Sequence, residues 1–303
     1  MRPLIQCAFS AALRVVAATG LVLLAMTGIC AEAQAPKSPK GIASLPPVED
    51  SPIYCAAVSR GVEHGEVLKK FCEWALSLNE RLPNILSEQK TSRFVEVRDK
   101  QYRARDSVTA NVSYENGEVR YSDVRVNGKA IKGSIEHTGG TWSTGEYGTD
   151  IEALFVLEQK FEMSFLKIDN DQYKGALVFQ QTITQDDNRS WELRYGKDLS
   201  EKTLFPGFTT RIWLDPTNAR LLHMEKETAE MDKKFPIRFV EKLTTYADTP
   251  LGDGTSFILP IECVTINCEA EGKKHCTLND LTFSHWRKFG AAHRIVTEPT
   301  GQQ

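Results

Sequence analysis

The sequence predicts a mainly β (α+β) protein, built as one long curved antiparallel sheet with two helices against it. Three observations carry this prediction. Beyond Pro83 the apolar residues alternate with polar ones, as along half-buried strands. Turn-forming clusters such as Asn116-Gly117, Asn127-Gly128, Asp215-Pro216-Thr217-Asn218 and Gly252-Asp253-Gly254 punctuate the runs at short intervals. Helical spacing is confined to two stretches, and strands joined by short turns argue for a meander and against a parallel α/β core.

Met1 to Ala33 reads as an export signal. Arg2 and Arg14 supply positive charge, Val15 to Ile29 form the apolar core, and Ala31-Glu32-Ala33 is a small-x-small cleavage pattern. Cleavage after Ala33 is expected; a cut after Ala35 would place Pro36 first in the mature chain. Cys30 follows Ile29 and not a small residue, which argues against lipidation. An uncleaved anchor is the alternative, but the apolar run of about 15 residues falls short of the ~20 that span a bilayer. Residues 34–52 carry Pro36, Pro39, Pro46, Pro47 and Pro52 and read as a flexible linker. No later stretch approaches a membrane span, so 53–300 is expected to be a single domain without a stable span after cleavage, placed in the periplasm or secreted.

Glu63 to Leu82 is the clearest helix. Leu68, Phe71, Cys72, Ala75, Leu78 and Leu82 recur every three or four residues, and Pro83 stops the run. Alternation then sets in: Val108, Ala110, Val112 and Tyr114 take one face, with Thr109, Asn111 and Ser113 on the other. Val119–Tyr121 and Val124–Val126 follow, and Glu88–Arg98 precedes. Further strands are expected at Met163–Ile168, Gly175–Thr184, Trp191–Tyr195, Thr209–Leu214, Arg220–Lys226, Ile237–Tyr246, Ser256–Ile266 and Asp280–Phe289. A second helix over 149–158 is marked by the capping box Thr149-Asp150-Ile151-Glu152. The glycine-rich loop 139–148, with Trp142 and Tyr147, leads into it.

In an exported chain, cysteines pair by default. Cys268 and Cys276 flank a polar turn between two strands and are expected to staple a hairpin; Cys55 and Cys72 bracket a loop and a helix and form the second expected pair. Cys263 is left in an apolar strand as a small hydrophobe. A metal site from Cys263, Cys268, His275 and Cys276 is the alternative, but it lacks the paired spacing of zinc knuckles, so no metal or other cofactor is expected.

Composition narrows function more by exclusion. With 303 residues, 41% hydrophobic and 25% charged, and a formal charge of −3, the chain is globular and lacks the dense positive charge of nucleic-acid binding. The loop 139–148 has no Gly-Lys-[Ser/Thr] ending, so it is not a P-loop. Ser143 lies one residue off a Gly-x-Ser-x-Gly elbow and has no strand leading into it. The six histidines are scattered singly, and acidic pairs such as Asp186-Asp187 are ordinary in turns. Asn111-Val-Ser113 and Asn188-Arg-Ser190 fit glycosylation only in a eukaryotic secretory route. No catalytic residue is assigned, and a non-enzymatic protein is expected.

The inner face of the sheet is expected to carry Phe179, Trp213, Phe239, Leu259 and Trp286, opposite Phe71 on the first helix. These side chains either pack as a core, at about 25 cal/mol per Å² removed from water, or line an apolar pocket if the sheet curves away from the helices.

The order of parts (export signal, amphipathic helix, long strand meander interrupted by a mid-chain helix) resembles the LolA/LolB-like periplasmic lipoprotein-carrier superfamily over about residues 63–297. Leu82-Pro83-Asn84, Gly140-Thr-Trp-Ser-Thr-Gly-Glu-Tyr-Gly148, Ile212-Trp-Leu-Asp-Pro216, Phe257-Ile-Leu-Pro260, the Cys268/Cys276 turn with Asn279, and Trp286-Arg-Lys-Phe289 are similar to uncharacterised secreted bacterial proteins of this fold. The resemblance implies a half-open barrel whose apolar cavity takes a lipid or the acyl chain of a lipoprotein, with Trp142 and Tyr147 near its mouth. The Cys268–Cys276 staple departs from the carrier pattern. The competing expectation is an interaction module with a packed interior, whose partner is another envelope protein.

Overall fold

The structure, a computed structural model, describes residues 44–98, 101–115, 118–157, 159–196, 201–269 and 276–290. The expected export signal, residues 34–43 of the expected linker, the expected Asn116-Gly117 turn and His275 lie outside them. Alternation becomes strand almost throughout. The main strands are β1 (Ile85–Arg98), β2 (Gln101–Glu115), β3 (Glu118–Val126), β4 (Lys129–Ala130), β5 (Met163–Ile168) and β6 (Leu177–Ile183). After the short ribbon β7 (Leu193–Tyr195) and β8 (Lys202–Leu204) come β9 (Phe208–Leu214), β10 (Leu221–Thr228), β11 (Ile237–Pro250), β12 (Ser256–Glu269) and β13 (Cys276–Lys288).

Eleven of these strands form one antiparallel sheet in the order β4-β3-β2-β1-β13-β12-β11-β10-β9-β6-β5, not closed into a barrel. The meander is joined end to start: β13, the last strand, pairs with β1, the first. The chain therefore begins in mid-sheet, runs out to one edge at β4, and restarts at the far edge with β5. Residues 131–162 make that crossing. Asn127 and Gly128, both at positive φ (49° and 78°), turn β3 into β4 where only such residues turn tightly enough.

One face of the sheet is covered. Helix α2 (Gly65–Leu76) buries Val67, Leu68, Phe71, Cys72, Ala75 and Leu76, the expected apolar stripe. It breaks at Ser77, whose hydroxyl donates to the Trp74 carbonyl, so the expected helix 63–82 is two pieces, with α3 spanning Leu78–Arg81. Residues assigned to the linker are partly helical: α1 (Ser51–Val58) starts with Pro52 in its first turn, where proline needs no donor. The expected helix 149–158 shrinks to α4 (Thr149–Glu152) and a 3-10 turn at Ala153–Phe155. Phe71, Phe155, Phe179, Ile212, Leu214, Leu221 and Met224 close into one core beneath the helices.

Both expected disulfides are present. Cys55–Cys72 ties α1 to α2 with both residues fully buried, and Cys268–Cys276 bridges directly opposed residues of β12 and β13. Cys263 is buried and free. Among the described residues, no helix is long and apolar enough to cross a membrane.

Candidate functional site

Strand register assembles a feature that periodicity does not announce. Arg93, Asn279, Thr265, Lys242, Lys226, Thr210 and Gln181 stand side by side across β1, β13, β12, β11, β10, β9 and β6. None is more than 5% exposed. A polar row across seven strands of a covered face needs partners, because each unpaired buried group costs about 1–3 kcal/mol. The crossing segment supplies most of them; among the row, the Thr210 hydroxyl and the Gln181 side-chain carbonyl have no hydrogen-bond partner.

Arg93 clamps Asp106 on β2 (2.5 and 2.7 Å) and donates to the Gly139 carbonyl and the Thr138 hydroxyl (3.1 Å). The Asn279 amide donates to the Thr141 carbonyl at 2.7 Å, and Thr265 meets Ser143 at 3.3 Å. Lys242 uses its three donors on Glu146 (2.8 Å), Asp150 (2.5 Å) and the Thr144 carbonyl (2.8 Å). Lys226 lies 3.8 Å from Asp150, with its ammonium 4.5 and 4.6 Å from the Trp191 and Phe208 ring centres. Gln181 donates to the Leu154 carbonyl at 2.8 Å. Gly145 is required where the strap turns toward α4: its φ is +105°, and a Cβ there would stand 3.0 Å from the Asp150 carboxylate.

The electrostatics follow from burial set against pairing. Burial pushes the Asp150 carboxyl up, but Lys242 and Lys226 outweigh it and hold it below the usual range. Burial likewise opposes charge on Lys242, and Asp150 and Glu146 more than reverse this, holding the ammonium well above its ordinary value. Lys226 has the weaker counter-ion, so burial prevails and lowers it to about 8. Cys263, beside Thr244 and Thr265, is pushed by burial to about 12 and is a thiol at neutral pH. One turn on, burial raises Glu152 to about 7.

Buried ionisable clusters are where active sites are sought. Here Arg93, Lys242 and Asp150 hold the strap to the sheet, while one carboxylate oxygen each of Glu146 and Glu152 is buried without a hydrogen-bond partner. Ser143 donates to Glu146 at 2.8 Å, and the buried His223 meets Tyr173 and Thr245 on the other face of the sheet. Beside the row, a cavity of about 10 Å³ lined by Gln89, Thr91, Trp142 and Ser143 holds at most one water. Among the described residues, no group of three or more His, Cys, Asp or Glu side chains is placed to hold a metal ion.

The residues expected to form an apolar site part company. Phe71, Phe179 and Leu259 are on the covered face and fully packed. Trp213 and Phe239 are not on that face. Trp213 pairs laterally with Val178 and His223, its indole donates to Asp169 at 3.1 Å, and it packs under Tyr173. Phe239 opposes Cys268 and points away from its buried neighbour Val240. The reason is parity: one residue along a strand changes the face. Trp286 rejoins the covered face because His285 adopts φ 55° beside a register shift, and its ring contacts Phe283 and Tyr147. Tyr147 is buried, its hydroxyl 2.8 Å from Ser87, while Trp142 is half-buried over Val108 and Ile135. Lys226, Lys242, Glu146 and Asp150 escaped sequence reasoning; the local signal was the capping-box pattern at 149–152, which the structure does not form, because Gly148 is the N-cap and no side chain caps the turn.

Comparison of the chain with protein-family models, with curated proteins and with solved structures finds no match.

Proposed function

We propose that the protein is an exported, non-enzymatic interaction module of the cell envelope. The observation that carries this reading is the strap: the sheet face that the carrier resemblance would assign to an acyl chain is filled by the chain's own residues 138–154, held by Arg93, Asn279, Lys242, Lys226 and Gln181. Two disulfides suit an oxidising, extracytoplasmic compartment. The carrier of lipid or acylated lipoprotein is the second reading, favoured by the one-sided cover of helices over an open sheet. Native mass spectrometry of protein purified gently from its export compartment, followed by organic extraction, separates the two. The module reading expects a ligand-free mass and no extractable lipid. Near-stoichiometric lipid that disappears in Phe179→Asp would overturn it in favour of the carrier.

A further inference from the structure

Taking the module reading further, we propose that the uncovered face of the sheet docks a segment of another protein that is apolar at its centre and carries Lys or Arg at its rim. The face opposite the strap has an apolar stripe. Phe94, Leu278 and Ile266 are adjacent across β1, β13 and β12; Val264 and Leu243 are adjacent across β12 and β11; Phe239 sits beside the Cys268–Cys276 bridge. All six are half-buried, and none belongs to a buried hydrophobic cluster, so their exposed parts face outward. At its far end the same face is closed over Trp213 and Val178 by the turn bearing Tyr173, which confines the open area to the middle of the sheet.

Charge selects the occupant. Glu225 and Leu243 are lateral neighbours, as are Glu227 and Glu241, so three carboxylates border the stripe. Arg211 serves two of them, Glu225 at 3.4 Å and Glu227 at 2.9 Å. Glu225 is compensated by His223 (3.7 Å) and Arg211, which hold its carboxyl down, whereas burial, and then repulsion from Glu225 and Glu227, raises the Glu241 carboxyl, so positive charge is short at Glu241. On the other flank Asp280 adjoins Val264, and one of its carboxylate oxygens has no hydrogen-bond partner. A partner bringing ammonium or guanidinium groups to this border relieves the repulsion while its apolar centre covers the stripe. Anionic lipid headgroups would add to the repulsion instead.

The test uses the mature chain with both disulfides intact and two labelled synthetic peptides, one alternating Lys and Leu, the other Glu and Leu. Binding is followed by fluorescence anisotropy and located by hydrogen exchange. Saturable binding of the Lys–Leu peptide is expected, with protection on β11 to β13, none for the Glu–Leu peptide, and affinity reduced about fivefold to tenfold in Glu227→Gln/Glu241→Gln. Leu278→Thr weakens the same binding without touching the carboxylates, and an unchanged thermal melt shows each variant folded. Equal binding of both peptides, binding of neither, protection along β5 alone, or attachment to phosphatidylcholine vesicles through this face would each overturn the proposal. A lipid-free preparation that binds neither peptide sinks this surface and spares the module reading, whereas extractable lipid sinks the module reading itself.

Discussion

Lys242 is the residue on which most of the buried charge depends. Replacing it with Met strands Glu146 in the interior and leaves Asp150 only the more distant Lys226, and loss of one partner of a buried ion pair costs about 3–5 kcal/mol. Urea unfolding of Lys242→Met is expected to show a loss of that size, with a good part regained when Glu146→Gln and Asp150→Asn are added. Glu152 gives a second, oppositely signed case. Its folded-state pKa of about 7 lies above the usual value of 4.5, so between those pH values the folded state holds a proton that the unfolded chain has released. Stability therefore falls as pH rises through this window, by roughly 3 kcal/mol in all. Glu152→Gln lacks the decline, and its advantage over the parent should grow from pH 4.5 to 7 and then level off. Asp150 behaves conversely: its depressed pKa gives stability that is present at neutral pH and lost as acid protonates the pair.

Among the elements, the two disulfides have different tasks. Cys55–Cys72 closes a loop of 17 residues within the helical cover, and removing it as Cys55→Ala/Cys72→Ala is expected to cost about 3 kcal/mol in chemical unfolding. Cys268–Cys276 sits half-exposed on a β-hairpin whose register is already set by six lateral pairs beyond it. Titration with a thiol reductant, followed by alkylation and mass spectrometry, should modify Cys268 and Cys276 well before Cys55 and Cys72, because access governs exchange. Helix limits diverge from periodicity for an equally local reason. An apolar repeat reports the face that is buried, and at Ser77 the repeat continues while the hydroxyl bonds back to the Trp74 carbonyl and helps end the helix.

For the whole molecule, the pairing of β13 with β1 is the decisive connection. It joins β1–β4 to the remaining seven strands of the sheet across a sequence separation close to the full domain. Truncation after residue 269 removes it, leaving β1–β4 without a strand pairing to the rest of the sheet and tied to it through the strap and the helices. Such a chain is expected to lose cooperative unfolding altogether, read as a broad, low-amplitude calorimetric transition. A point substitution on β5, at the edge, leaves the single transition intact.

The existence of the sheet, the two disulfide pairs and the stripe of α2 were legible in the sequence, because each depends on residues close together along the chain. Face assignment was not. In β11, Val240, Lys242, Thr244 and Tyr246 alternate with Phe239, Glu241, Leu243 and Thr245, and both sets mix apolar with polar groups. Only lateral pairing decides between them, because a side chain's face is inherited from its neighbours in the sheet. The same limit hid the strap. Arg93, Lys226, Lys242 and Asn279 are far apart in sequence and individually unremarkable, and they become a row only when seven strands are in register. Local chemistry determined which elements form, while the tertiary structure alone decided which face the chain keeps for itself and which it leaves open.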